Sequence, residues 1–111
     1  MSEPVTDEQI SALAATARPF SLAVLQWTDR RHQDGAEAIE LEHQRRMVSL
    51  RAAGTIAVLS PVLSDTIAGV AVMTLTPEEA DAVMQADPCV QAGMMTCAVY
   101  ASLGFPGDSI G

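Results

Sequence analysis

Two stretches of this chain are apolar on both faces at strand spacing, and that pattern restricts the fold more than any other feature. Phe20 to Trp27 puts Phe20, Leu22 and Val24 on one side of a strand and Ala23, Leu25 and Trp27 on the other. Thr66 to Leu75 repeats the arrangement, with Ile67, Ala71, Met73 and Leu75 against Ala68, Val70 and Val72. Side chains alternate across a strand, so a sheet built from such strands needs apolar cover on both of its faces. Two further stretches read as strands. One is Thr55 to Leu63, where Pro61 removes a ladder donor and marks an edge segment or a bulge. The other is Met94 to Ala101.

Helical patterns alternate with these strands. Ala36 to Ala53 is unbroken and is closed by Gly54. Ala36, Ile39, His43, Met47 and Leu50 recur at spacings of three and four and so share one face. Leu41, Val48 and Ala52 form a weaker stripe on nearly the opposite side, which predicts cover there too. Glu42 and Arg46 are spaced to pair on its surface. Thr76-Pro77-Glu78-Glu79 opens a second helix with an N-cap threonine, a proline at the first helical position and a glutamate that can complete a capping box. Asp87-Pro88 breaks that helix and starts another turn, which Gly93 ends. Thr6 to Gln9 fits a capping box for a short N-terminal helix that Arg18-Pro19 ends. Its Ile10, Leu13 and Ala17 are expected to pack on Leu41 and Val48. Residues 1–5 read as a disordered tip and SLGFPGDSIG as a turn-rich tail.

With 111 residues the chain forms one domain, 1–111. It divides into a helical extension at 1–19, a core at 20–101 and a tail at 102–111. Strand, helix, strand, strand, helix, strand in so short a core predicts an α+β, ferredoxin-like βαββαβ sandwich, with helices on one face of an antiparallel sheet. The chain is too short to cover the other face. A second copy is the expected cover, which makes the molecule a homodimer with a dimeric α+β barrel.

A net charge of -8 repels phosphate backbones, which speaks against nucleic acid as a partner. No apolar run approaches the roughly 18 residues of a membrane span, and MSEPVTDEQI shows no signal peptide, so the expected location is cytoplasmic. Cys89 and Cys97 are then read as reduced thiols in apolar surroundings. His32, in the polar loop TDRRHQDG, reads as a solvated histidine.

The stretches EHQRRMVSLRAAGTIAVLSPV and PEEADAVMQADPCVQAG, in that order and spacing, resemble the YCII-related family of the dimeric α+β barrel superfamily, from about Phe20 to Tyr100. The tail GFPGDS is similar to that of longer members. The resemblance implies the ferredoxin-like fold, a homodimer, and a site made by a helix histidine and the aspartate of Ala-Asp-Pro, here His43 and Asp87. Many members have Gly-Pro where this chain has Ser60-Pro61, which alters the expected pocket. A few members act in degradation of chlorinated aromatics.

His43 is the residue to explain, an ionisable ring on an inward stripe. Alone it reads as a satisfied core histidine, and Asp87 alone reads as a routine N-cap. Paired, the carboxylate fixes the tautomer of the imidazole, and the two can move a proton to or from a small substrate. Ser60 and Tyr100 are candidate hydrogen-bonding partners for that substrate. Met47, Met73, Met94 and Met95 either soften an apolar pocket or fill the core. No metal-ligand spacing, glycine-rich phosphate loop or serine-hydrolase elbow is present, so no metal or cofactor is expected. Two functions fit: acid–base chemistry, an elimination or isomerisation of a small organic molecule by His43 with Asp87, or a non-catalytic dimer that holds a small ligand or is purely structural.

Overall fold

The computed structural model describes residues 3–111. Eight elements follow one another: α1 (Asp7–Ala14), β1 (Arg18–Trp27), α2 (Ala36–Ala52), β2 (Ile56–Pro61), β3 (Ile67–Met73), α3 (Pro77–Gln85), α4 (Pro88–Gln91) and β4 (Met95–Gly104). The four strands form one antiparallel sheet in the order β2-β3-β1-β4. The architecture is α+β and compatible with the ferredoxin-like arrangement.

Register explains the two faces. Ser21 is opposite Met73, and Ala23 is opposite Ala71, on the face that α2 and α3 cover. These residues, with Leu25, Met47, Ile56, Ala80, Met84, Cys89, Met94 and Met95, are the buried core. Ser21 is the polar exception, and its hydroxyl donates to the Leu75 carbonyl at 2.7 Å. On the other face Leu22 is opposite Val72 and Tyr100, and Val24 is opposite Val70 and Ala98. Val58 joins them from β2. Among the described residues this outer face is only partly buried, and Tyr100 is 56% exposed there.

Strand ends depart from the sequence reading. β1 begins at Arg18, and β4 runs on to Gly104, because Arg18, Pro19 and Phe20 pair with Gly104, Leu103 and Ser102. The first residues of the expected tail are therefore strand. Pro19 sits beyond the end of the β1–β3 ladder, where its missing N–H costs no bond. Pro61 ends an edge strand, as its lack of a donor requires. A bulge lies between Ile56 and Val58.

The N-terminal helix corrects an expectation. α1 has the full capping box at Thr6 and Gln9 but ends at Ala14, and it buries none of its residues. Ile10 and Leu13 stay half exposed, and so do Leu41 at 53% and Val48 at 58%. The expected contact between these two faces is not made within one chain. With α1 and the tail outside the sandwich, the molecule measures 55 × 31 × 22 Å. Residues 1 and 2 of the expected N-terminal tip lie outside the described residues. Among the described residues no helix is long and apolar enough to cross a membrane.

Candidate functional site

α2 carries His43 on its inward stripe, where Met47 is buried and Ile39 and Leu50 are partly buried. α4 carries the other half of the site. The residue before a proline is pushed to extended backbone, and Asp87 has φ -66 and ψ 139. That ends α3 and turns the chain so that Asp87 becomes the N-cap of α4. Its own N–H donates to the Met84 carbonyl at 3.0 Å, and its carbonyl accepts from Gln91 N–H at 2.9 Å. The backbone is thus held on both sides of the carboxylate.

The Asp87 carboxylate is fully buried. Its Oδ2 accepts the Cys89 N–H at 3.0 Å and lies 2.7 Å from His43 Nδ1. Its Oδ1 has no hydrogen bond and faces Arg46 Nη1 at 3.6 Å. Arg46 is anchored by its Nη2, which donates to the Val83 carbonyl at 2.6 Å. A carboxylate removed from water needs a cation nearby, and Arg46 supplies it. This corrects the reading of Arg46 as a surface partner of Glu42, which instead meets Arg45 at 3.5 Å.

His43 has 14% of its side chain exposed and lines a cleft of about 440 Å³ at one end of the sheet. The Leu25, Met47 and Leu59 side chains give it apolar walls, and Trp27, Arg31, Glu40, Gln44 and Ser60 complete much of the rest. With Nδ1 bonded to the buried carboxylate, Nε2 is the nitrogen left to meet a ligand. It makes no hydrogen bond among the described residues.

Ser60 lies on the cleft lining but shares its register with Val70 on the outer face, and it is exposed. Tyr100 is not brought to the cleft, because its place opposite Leu22 puts it on the outer face. Of the four methionines considered, Met47 and Met95 line the cleft, while Met73 and Met94 are core. His32 is exposed in its loop.

Two neighbours were not legible as site residues. Cys89 comes close because one turn of α4 folds it under Asp87, and the His43, Asp87 and Cys89 donor atoms lie within 4.8 Å of one another. Such an N, O, S set can ligate a transition metal. Burial, then the charges of Asp87 and Glu40, push the Cys89 thiol up to about 12. A metal needs the thiolate, and it would also sit beside the Arg46 guanidinium. The arrangement is better suited to moving a proton. Of the two free cysteines Cys89 is buried, and Cys97 is half-buried rather than fully covered.

Arg31 is the second. It folds back from the loop after β1 so that its guanidinium carbon lies 4.0 Å from the centre of the Trp27 ring.

Comparison with protein-family models and with curated proteins finds no match.

Proposed function

We propose that this protein is a small YCII-like homodimer that performs acid–base chemistry, an elimination or isomerisation, on a small organic molecule. The observation that carries the reading is the 2.7 Å contact between His43 Nδ1 and Asp87 Oδ2 at the wall of a cleft. Asp87 holds the ring in the tautomer that carries its proton on Nδ1, which leaves the Nε2 lone pair toward the cleft. A C–H proton of a bound molecule passes to Nε2, and the same nitrogen returns it at another carbon or to a leaving group. The apolar walls limit competing water.

The dimer rests on the outer sheet face. Among the described residues Leu22, Val24, Val58, Val70 and Val72 are only partly buried and Ala98 is exposed, and a twofold pairing of two such sheets would close an α+β barrel over them. Light scattering at micromolar concentration gives a mass near twice 11.7 kDa on this reading, and a clean monomer removes the barrel.

The reaction is tested by proton NMR in D₂O on a panel of small carbonyl compounds, neutral and charged. Wild type exchanges an acidic C–H, and His43→Gln slows that exchange by about 100-fold or more, the lower range for a positioned general base. Exchange indifferent to His43→Gln removes the mechanism. A second reading has its own observation: Asp87 also caps α4 and pairs with Arg46, so the group can serve structure in a dimer that binds without turnover.

A further inference from the structure

The least satisfied charge at the cleft is Arg31. Among the described residues its guanidinium makes no ion pair and no hydrogen bond, and its Nε is buried without a partner. The stacking on Trp27 fixes the plane of the group. Its terminal nitrogens, unlike Nε, are not sealed from solvent. A guanidinium held in one plane with its fork free is pre-organised for a planar oxyanion.

We infer that the cleft takes a small organic carboxylate, its anionic end paired with the Arg31 fork and its apolar body against Leu25, Met47 and Leu59. This rests on the acid–base reading for one point alone, that the carbon next to His43 is where the proton moves. The class follows from charge and shape. Arg31 brings one positive charge and Glu40 one negative charge to the lining, and the repulsion from Glu40 is twice as large for a phosphate dianion as for a monoanion at the same distance, which favours the monoanion. The walls are largely aliphatic, and about 440 Å³ suits a molecule of modest size. Gln44 and Ser60 leave some polar capacity for a second oxygen.

Benzoate and its neutral counterpart benzamide are the probes. Trp27 is the chain's single tryptophan, so its fluorescence reads the site without labelling. Backbone amide NMR shifts map where each probe binds. Benzoate saturates in the millimolar range and binds on the order of 10- to 100-fold more tightly than benzamide, the gain of a charge-assisted pair. Its shifts centre on Trp27, Arg31 and Leu59. Arg31→Met abolishes the preference, while His43→Gln keeps it. Equal affinities, shifts centred elsewhere, a preference that survives Arg31→Met, or no saturation below roughly 50 mM each overturn the proposal. If Arg31→Met does not fold, the wild-type affinities and shift map decide alone. Failure of the acid–base reading is a separate result: C–H exchange indifferent to His43→Gln, with benzoate still preferred.

Discussion

Asp87→Asn isolates the charge at the centre of the site while keeping the shape. The amide oxygen can still accept from Cys89 N–H and from His43, so the cap and the contact survive in neutral form. Two things are lost. The His43 contact loses its charge assistance, a difference of about 1 kcal/mol between charged and neutral hydrogen bonds. Arg46 loses its counter-ion, and the new amide N–H₂ points at the guanidinium 3.6 Å from the old oxygen. Breaking a fully buried pair costs about 3–5 kcal/mol, but Arg46 retains 28% exposure, so about 1–2 kcal/mol is the share expected here. The sum is about 2–3 kcal/mol. With a urea m-value of about 1.5 kcal/mol/M, the midpoint falls by about 1.3–2 M. The titration is run at one fixed protein concentration, because association would shift the midpoint by mass action. His43→Ala made in both backgrounds completes a double-mutant cycle, with a coupling of about 1 kcal/mol expected for contacting groups. A midpoint within about 0.3 M of wild type, together with no coupling, would refute the idea that a buried ion pair organises this site.

Two other outcomes follow from the geometry. Burial and neighbouring acids push the thiols of Cys89 and Cys97 up to about 12 and about 11 from 9.0, so the folded chain keeps these protons to higher pH than the unfolded chain. Their contribution to stability is whole below pH 9 and is lost as pH rises toward the folded values. The urea midpoint therefore drops above pH 9, less so in Cys89→Ala, and an equal drop in both proteins would contradict this. Gly69 is buried in β3, and a Cβ there would lie 3.2 Å from the Ser60 carbonyl oxygen. Gly69→Val accordingly costs about 1–3 kcal/mol by overpacking and pushes β2 outward at the cleft edge. A variant as stable as wild type in urea, with unmoved β2 amide shifts, contradicts that contact.

What the sequence made legible divides by the range of the interaction. Periodicity placed every strand and every long helix, because a buried stripe must repeat at the period of its element. Caps at Thr6, Thr76 and Asp87 were legible because they use neighbours within three residues. The meeting of His43 with Asp87, 44 residues apart, came from a resemblance to a family and not from any spacing. Arg46 was misread because a surface pair four residues away satisfies helix rules, whereas burial of Asp87 offered it a stronger partner. The Arg31 stack and the approach of Cys89 depend on a loop and a turn folding back, which no period encodes. β4 ran longer than read because the start of β1 offered it a ladder. The expected cover for α1 failed because two half-apolar helix faces gain nothing from each other unless the chain between them can bring them together, and here β1 does not.

One oxygen, Asp87 Oδ2, is shared between the first turn of α4 and the imidazole of His43. A rotation of the Asp87 carboxylate breaks both contacts together, so the Cys89 amide and the His43 ring are expected to report that motion in common. Deuterium uptake at that amide and the ¹⁵N shifts of the ring nitrogens are the measurements, and a change in one without the other would separate the two contacts. A helix of four residues thereby ties a core residue, Cys89, to the imidazole through one shared oxygen.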